Sequence, residues 1–324
     1  MNASSHILHL QNQIEERLES LFRNRQPQSL YEPMFHPLRS GGKRIRPLLC
    51  LLSSEAVGGS AAACFDAAIA LELLHTFTLV HDDIMDHDKL RRGHPTVHVQ
   101  WDEPTAILAG DGLVTLAYQS LLETKHPDLV QVMRHFTKGL LILCEGQALD
   151  KAFEIQKKVS LENYLDMIHK KTAKLLEVSC EMGGLLGNGS SEEVKALQLF
   201  ARELGIAFQI QDDLLDLVSE ETVFGKPRGS DLIEKKKTYL TIHFEQHANP
   251  SQLEQYHRLN QTHISQEDVT TFLKLFTESG TIGDTKMQID RGIERAISYL
   301  AKLKPGKSRQ ILETFALKIR DRNA

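Results

Sequence analysis

One five-residue pattern is written twice in this chain, as Asp82-Asp83-Ile84-Met85-Asp86 and again as Asp212-Asp213-Leu214-Leu215-Asp216. Each copy places three carboxylates in an otherwise apolar stretch, and buried carboxylates without partners are strongly unfavourable. In a helix the first and fifth residues of the pattern share a face, because they are four positions apart. Divalent cations held by such pairs would remove the penalty. The chain is therefore expected to present two acidic helix faces that bind several metal ions, which indicates a polyanionic ligand.

The composition limits the classes of protein to which the chain can belong. With 41% hydrophobic and 25% charged residues, we expect a globular protein. The net charge of −5 argues against a general nucleic-acid binder. The cysteines are far apart with no Cys-x-x-Cys pair, which favours reduced thiols and a cytoplasmic location; they are Cys50, Cys64, Cys144 and Cys180. The N-terminal segment lacks the features of a signal peptide, and we expect no membrane span.

The placement of proline and glycine predicts an all-α fold. Only 10 prolines and 20 glycines interrupt long runs of Leu, Ala, Glu, Lys and Gln, and neither alternating β-branched residues nor a hairpin turn is evident. Helices are expected over residues 5–24, 45–57, 61–88, 104–123, 127–154, 160–187, 192–219, 231–247, 251–260, 266–279, 284–303 and 307–320. No break is long or polar enough to separate domains, so residues 1–324 are predicted to form one helical domain.

Carboxylate oxygens restrict the choice of metal. They suit magnesium, manganese or calcium better than zinc or copper. Magnesium takes one or two carboxylates, keeps waters and completes its shell with phosphate oxygens. A solvated acidic helix end is the ordinary alternative for one motif, but two motifs preceded by apolar runs favour metal sites. The doublet His81-Asp82 also fits a metal-dependent phosphohydrolase of the HD type, although that hypothesis leaves the second motif unexplained.

Short basic segments surround the acidic motifs. Gly41-Gly42-Lys43-Arg44-Ile45-Arg46-Pro47 places three cations at the start of a predicted helix, where backbone amides favour anions. Arg91 and Arg92 follow the first motif, and such a pair can bind phosphate oxygens or neutralise the nearby aspartates. Further lysines occur at positions 170–171, 226 and 235–237. Each segment alone could be a solvated surface, but together they indicate a ligand with a diphosphate head and a hydrocarbon tail.

These segments, in this order, resemble the trans-isoprenyl diphosphate synthases of the polyprenyl synthetase family. The resemblance extends from Gly41 to Thr238, roughly 60% of the chain. It rests on GGKRIRP, HTFTLVHDDIMDHDKLRRGHPT, KTAKL, FQIQDDLLD and FGKPRGSDLIEKKKT. The family implies a single-domain helical bundle of the isoprenoid (terpenoid) synthase type, with long central helices around a deep active-site cavity, and a homodimer.

The resemblance also implies roles for individual residues. Magnesium, three ions per site and replaceable by manganese, would be bound by Asp82, Asp86, Asp212 and Asp216. Isopentenyl diphosphate would be bound by Lys43, Arg46, His75 and Arg92. The allylic substrate would contact Arg91, Lys171, Thr172, Gln209, Lys226 and Lys236. Catalysis would depend on Asp82, Asp86, Asp212, Lys171 and Arg91. Asp83 and Asp213 would be supporting members, and Lys237 stays an alternative to Lys236 because the segment after Glu234 departs from many relatives.

The implied reaction joins isopentenyl diphosphate head to tail (1′–4) with dimethylallyl, geranyl or farnesyl diphosphate through an allylic carbocation. Phe77 lies five residues before the first motif, where this family often closes the bottom of the cavity, and Thr78 and Leu74 are its neighbours in that role. This combination resembles geranylgeranyl-type synthases and predicts a C20 product, with C15 or C25 as alternatives. A terpene cyclase, an HD-type phosphohydrolase and a non-catalytic subunit of a heteromeric synthase are the competing functions.

Overall fold

The computed structural model describes residues 3–219, 228–261 and 263–321. The all-α fold class is confirmed. The α-helices are α1 (Ala3–Phe22), α2 (Gln28–Arg39), α3 (Ile45–Ala56), α4 (Phe65–Met85), α5 (Val97–Gln100), α6 (Glu103–Leu122), α7 (Leu129–Ile155), α8 (Leu161–Ile168), α9 (Lys174–Leu186), α10 (Ser191–Val218), α11 (Ser230–Ile233), α12 (Tyr239–His247), α13 (Pro250–Asn260), α14 (Gln266–Glu278), α15 (Thr281–Leu300) and α16 (Lys307–Arg320). A 3₁₀ turn (Ala61–Cys64) precedes α4, and a π-helical turn (His169–Ala173) joins α8 to α9.

The chain divides into two compact units. The first contains Met1–Thr137, Val178–Leu197 and Lys302–Leu312, and the second contains Lys138–Glu177, Gln198–Ala301 and Glu313–Ala324. In the first unit, α4 packs closely along α6, and buried alanines on both helices allow this approach. In the second unit, α12 packs on α15, and α14 also packs on α15. The expectation of one domain over residues 1–324 stays a prediction.

Helix α2 was not expected from the sequence. It contains Pro33 and Pro37, and each proline removes a backbone donor and disfavours a helix interior. The helix also buries Met34 and Leu38 in the first unit, and α2 packs against α6. Burial of such side chains is worth about 1.5–3 kcal/mol each, which is comparable to the cost of an interior proline. Tertiary packing therefore outweighs local propensity at this helix.

A short antiparallel ribbon follows the first acidic motif, where no strand was predicted. Strand β1 (Leu90–Arg91) pairs with β2 (His94–Pro95). The two turn residues, Arg92 and Gly93, have φ angles of 53° and 78°. Tight hairpins favour this left-handed pair of residues, but Arg-Gly is not the usual Asn-Gly or Asp-Gly sequence, so the turn lacked its common signal.

The helix predicted over residues 231–247 is wrong in its middle. The chain leaves the helix after Ile233 and re-enters it at Tyr239, where Thr238 caps the new helix and its side chain accepts a hydrogen bond from the amide of Thr241. Lys235 adopts a φ of 57°, which ends α11. The break places the lysine run on a turn instead of a helix face.

Two helical segments are more apolar than the sequence interpretation allowed. By length and composition, Ala61–Met85 and Glu103–Leu122 could each cross a membrane. Within the structure, 61% of the apolar window is buried in the first and 44% in the second. Core helices of a globular protein have the same composition, so these two helices do not indicate a span. The expectation that the chain has no membrane span stays a prediction.

Candidate active site

The middle aspartate of the first acidic motif is part of the protein framework. Asp83 is buried on α4, and its Oδ1 accepts a hydrogen bond of 2.6 Å from Nε of Arg91. A second nitrogen of Arg91, Nη2, lies 3.4 Å from a carboxylate oxygen of Asp88. Asp82 is partly exposed and Asp86 is exposed at the end of the helix. The outer two carboxylates of the motif are therefore the accessible ones, and Arg91 also serves to hold the motif in place.

The hairpin turn carries Arg92 back onto the glycine pair of the basic segment. Nη1 of Arg92 donates a hydrogen bond to the carbonyl of Gly41. A Cβ atom at Gly42 would lie 2.8 Å from the same nitrogen. The structure places an arginine side chain there, and this arginine is one of the predicted ligand contacts.

Arg44 has a structural role that sequence reasoning missed. It precedes α3 with a φ of 48°, and only 3% of its surface is exposed. Its Nη1 lies 2.7 Å from Oε1 of the buried Glu72, and its Nε lies 2.7 Å from Oε1 of Glu15. Its Nη2 donates to the carbonyl of Leu38. Glu72 is an isolated glutamate in the apolar run of α4, and it indicates a buried cationic partner.

Arg46, His75 and Arg92 form a cluster of positive charge in the first unit. Nε of Arg46 is buried and has no hydrogen-bond partner in the described part of the chain. Burial, opposed by the charge of Glu72 and reinforced by that of Arg92, lowers the pKa of Arg46 to about 10. Burial, followed by the charges of Arg46 and Arg92, holds the pKa of His75 well below its usual value. Exposed Lys43 lies three residues before Arg46. A cation whose buried Nε lacks a partner in the described residues favours an anionic ligand.

The residues predicted to control chain length lie on α4. Leu74 is fully buried, whereas Phe77 is partly exposed and packs against the ring of His81, with ring centroids 4.7 Å apart. The hydroxyl of Thr78 donates to the carbonyl of His75 at 2.8 Å, so it is occupied by its own helix. The ring of His81 in turn lies against Gly110 of α6, where a Cβ atom would collide with it. His81 thus has a packing role, which removes the main support for an HD-type metal doublet.

The second motif repeats this division of roles in the second unit. Asp213 is buried, and one of its oxygens accepts hydrogen bonds from the hydroxyl of Tyr164 and from the amide of Tyr239, the latter at 3.0 Å. Its other oxygen accepts from Nε2 of Gln209 at 3.1 Å. Burial, reinforced by the charge of Asp231, raises the pKa of Asp213 to about 7. Asp212 is partly exposed.

The π-helical turn places two predicted contacts of the allylic substrate. π-turns inside helices are frequent at functional sites. Thr172 donates to Oε1 of Gln209 at 2.9 Å, so these two residues join the hydrogen-bond network around the second motif. Lys171 forms an ion pair with Asp150 of α7. A Cβ atom at Gly146 would collide with the backbone of the turn, so glycine is required where α7 passes it.

Asp216 is held by the start of α11. Its carboxylate accepts a hydrogen bond of 2.6 Å from the hydroxyl of Ser230 and one of 3.1 Å from the amide of Asp231. Burial, reinforced by the neighbouring charge of Asp231, raises its pKa to about 6. Nζ of Lys236 lies 3.4 Å from Asp231 and 2.9 Å from Glu234. Lys236 thus lies near Asp231, whose amide contacts Asp216, and the choice between Lys236 and Lys237 stays a prediction. Lys226 lies outside the described residues.

The donor set of the two motifs fits a hard divalent cation. Both motifs lie at helix ends, since α4 ends at Met85 and α10 at Val218, and the partial negative charge of a helix C-terminus favours cations. Within residues 3–219, 228–261 and 263–321, no three His, Cys, Asp or Glu side chains are grouped to hold a metal ion. An open site of paired carboxylates that is completed by water and phosphate oxygens suits magnesium.

Comparisons with known proteins agree with this chemistry. Residues 27–276 match the family described as polyprenyl synthetase. A short chain isoprenyl diphosphate synthase of Methanothermobacter thermautotrophicus is 45% identical over 70% of each chain. A geranylgeranyl diphosphate synthase of Methanosarcina mazei is 43% identical over 74% of this chain and 73% of the relative. The crystal structure of geranylgeranyl pyrophosphate synthetase from Pyrococcus horikoshii is similar over 99% of both chains, with a TM-score of 0.93 and 38% identity.

Proposed function

The chain belongs to the polyprenyl synthetase family, and from that premise we propose that it condenses isopentenyl diphosphate with an allylic diphosphate to give an all-trans prenyl diphosphate. It is a trans-prenyltransferase by membership. Its relatives named geranylgeranyl diphosphate synthase support a C20 product. The contacts within each unit support roles for individual residues.

Isopentenyl diphosphate is assigned to the positive cluster of the first unit. Arg46 and Arg92 offer guanidinium donors, and two such groups can bind a diphosphate through several charge-assisted hydrogen bonds. His75 is held neutral between them, so one ring nitrogen can donate to a phosphate oxygen without adding another unfavourable charge. Lys43 supplies a further cation from the exposed loop. The orphaned Nε of Arg46 is the single observation that carries this assignment.

The allylic diphosphate is assigned to the accessible carboxylates and the basic residues near them. Asp82 and Asp86 would hold magnesium in the first unit, and Asp212 and Asp216 in the second. Magnesium, when bound, would supply Lewis acidity toward the charge that develops on the departing diphosphate. Manganese is an acceptable substitute by the same oxygen chemistry. The remaining contacts are assigned to Arg91, Lys171, Thr172, Gln209, Lys226 and Lys236.

The reaction needs no protein nucleophile. The bond between C1 of the allylic substrate and its diphosphate breaks, and the electron pair leaves with the diphosphate. The double bond of isopentenyl diphosphate then attacks the resulting allylic cation at C1, and a proton is lost to the departing diphosphate. Fixed cations such as Arg91 and Lys171 stabilise the negative charge where it develops. Apolar side chains around the hydrocarbon exclude the water that would quench the cation.

Incubation with isopentenyl diphosphate, magnesium and one allylic primer at a time tests the proposal. The primers are dimethylallyl, geranyl and farnesyl diphosphate, and the products are separated by chromatography after removal of phosphate. We expect elongation of all three to a C20 product. Absence of elongation with every primer would contradict the function, whereas a C15 or C25 end product would change only the chain length.

We further propose a homodimer in a reducing, cytoplasmic setting. Large apolar side chains are exposed in the first unit along α6 and the start of α7, among them Leu108, Leu122 and Val130. Such positions favour burial against a second copy. None of the four cysteines forms a disulfide within the described part of the chain, which is typical of reducing compartments. Sedimentation analysis of the full chain tests the oligomeric state.

A further inference from the structure

A narrow groove in the second unit is lined by residues that the proposed reaction does not use, apart from Lys236. Its charged lining consists of four lysines and one carboxylate, namely Lys157, Lys235, Lys236, Lys237 and Glu245. Its apolar lining includes Val159, Leu232, Ile242 and Phe272. Four lysines against one carboxylate give this concave surface a net positive lining, which favours an anion.

Two of the lysines are not neutralised by the protein. Nζ of Lys236 is engaged by Asp231 and Glu234, and Nζ of Lys235 donates to the carbonyl of Asn260 at 2.8 Å. Lys157 and Lys237 make no hydrogen bond or ion pair with any residue of the described segments. Their ammonium groups are therefore available to a ligand in the groove.

Tyr256 adds a donor below the lysines. Only 4% of its surface is exposed, and its ring packs against Phe244, Phe272 and Phe276. Its hydroxyl has no hydrogen-bond partner among the described residues, although the residue lines the groove. The hydroxyl oxygen is not fully buried, so it can donate to a ligand or to water. The accessible part of this side chain thus offers an unused donor to whatever enters the groove.

The size of the groove restricts the ligand. The enclosed space is about 20 Å³, which is room for about one water-sized group. A prenyl chain cannot enter a space of this volume. One phosphoryl oxygen can, while the other oxygens of the phosphate stay at the mouth, where the lysines are. The groove is therefore unsuited to the hydrocarbon of either proposed substrate.

We propose that this groove binds the phosphate group of a small anion, either orthophosphate or inorganic diphosphate. Tyr256 donates to the inserted oxygen, and Lys157 and Lys237 neutralise the charge at the mouth. The turn that carries Lys235, Lys236 and Lys237 is followed by Tyr239, whose amide donates to Asp213. An anion in the groove therefore binds next to the segment that supports the second acidic motif. The binding itself does not depend on the proposed prenyl transfer.

Lysine labelling with an amine-acetylating reagent, read by mass spectrometry, tests the binding. The full chain is labelled without magnesium or prenyl substrates, in orthophosphate, in diphosphate, or in chloride at matched ionic strength. At a concentration about ten times the dissociation constant, acetylation of Lys157 and Lys237 should slow about tenfold. Lys274, which is exposed outside the groove, is the control. Protection by both anions or by diphosphate alone supports the proposal and identifies the source of the phosphate.

Protection by neither anion, or equal protection of Lys274, would overturn the proposal. Tyr256→Phe keeps the packed ring and removes only the donor, so the concentration needed for protection should rise about tenfold. An unchanged concentration would also overturn it. If Tyr256→Phe fails to fold by circular dichroism, Lys157→Gln decides, because loss of this exposed cation should weaken protection of Lys237. Failure of prenyl transfer in a separate assay would leave these results unaffected.

Discussion

The guanidinium group of Arg92 lies against the backbone of Gly42, where a Cβ atom would come within 2.8 Å of Nη1. The same nitrogen donates to the carbonyl of Gly41. The hairpin after the first acidic motif and the loop before α3 are therefore joined at the positive cluster. A side chain at Gly42 would displace the far end of the flexible Arg92 side chain without disturbing the backbone. Such a substitution therefore affects ligand binding without affecting folding.

We expect Gly42→Ala to weaken binding of isopentenyl diphosphate while the chain still folds. The methyl group moves Arg92 away from the cluster, so the KM for isopentenyl diphosphate should rise about tenfold, the value of one charge-assisted hydrogen bond. The KM for the allylic primer should change little. Gly283→Ala is the matched control, because nothing lies within 4 Å of the added methyl group. Equal KM values for Gly42→Ala and the control would contradict the role of Arg92.

Arg44 lies in the sequence between two proposed ligand contacts, Lys43 and Arg46. Its buried ion pair with Glu72 predicts that substitution of Arg44 has a large effect on stability. Arg44→Met leaves Glu72 buried without its partner, which should reduce the free energy of unfolding by about 3–5 kcal/mol. The double variant Arg44→Met with Glu72→Leu should recover most of that loss, because no charge then remains buried. Urea denaturation of the single and double variants measures the coupling. Additive losses would show that the ion pair is not the source of the effect.

Removal of the Asp212 carboxylate is expected to reduce catalysis, whereas removal of the Asp213 carboxylate is expected to reduce stability. Asp213→Ala removes the acceptor of Tyr164, Gln209 and the Tyr239 amide, so the free energy of unfolding should fall by about 2–4 kcal/mol. Asp212→Ala should leave the thermal midpoint unchanged and reduce kcat by about a hundredfold or more. Thermal denaturation and steady-state kinetics on both variants distinguish these outcomes. A stable, inactive Asp213→Ala protein would reverse the assignment.

The sequence predicted the all-α fold and the positions of both acidic motifs, because periodicity and local charge are properties of short segments. The charge pattern alone could not separate Arg44 from Arg46, and only the family resemblance assigned a ligand contact to Arg46. The ion pairs of Arg44 with Glu72 and Glu15 show why the two arginines differ. The turn at Arg92 and Gly93 carried a glycine but not the Asn-Gly or Asp-Gly sequence of a common hairpin, so the two short strands beside it were not predicted.

The second unit gives the same lesson. Asp213 was interpreted as a supporting residue, but its partners come from distant segments: Tyr164 lies 49 residues away in the chain and Tyr239 lies 26 away. The run of lysines lies at a break in the helix predicted over residues 231–247, and Lys236 pairs with Asp231 there. Which of Lys236 and Lys237 contacts the ligand stays a prediction. Contacts that span many residues leave no local pattern.

Chain length should respond to Phe77 and not to Thr78. Phe77 is partly exposed and packs on His81, so Phe77→Ala opens space along α4 and should shift the main product from C20 to C25 or longer. Thr78→Ala is the matched control, because the Thr78 hydroxyl is bonded to the carbonyl of His75 within the helix. Chromatography of the products formed with farnesyl diphosphate checks both variants. An unchanged distribution for Phe77→Ala would move the limit to the buried Leu74 or below.

The stability of the protein should depend on pH through His75. Burial and the charges of Arg46 and Arg92 keep the pKa of this ring well below its usual value in the folded state. In the unfolded chain the pKa of this ring returns to about 6.5. Below that pH the unfolded state therefore binds a proton that the folded state does not bind. The contribution of neutral His75 to the free energy of unfolding is therefore complete above that pKa and is lost as the pH falls below it.

His75→Asn removes this group, so its free energy of unfolding should decrease less between neutral and acidic pH than that of the original chain. Urea denaturation at several pH values, without substrates or metal, measures the difference. His263→Asn, at an exposed position, corrects for the general loss of a histidine. Because all other ionisable groups are shared, the difference between the two variants isolates His75. Identical pH dependence in both variants would mean that His75 accepts a proton in the folded state as readily as in the unfolded chain.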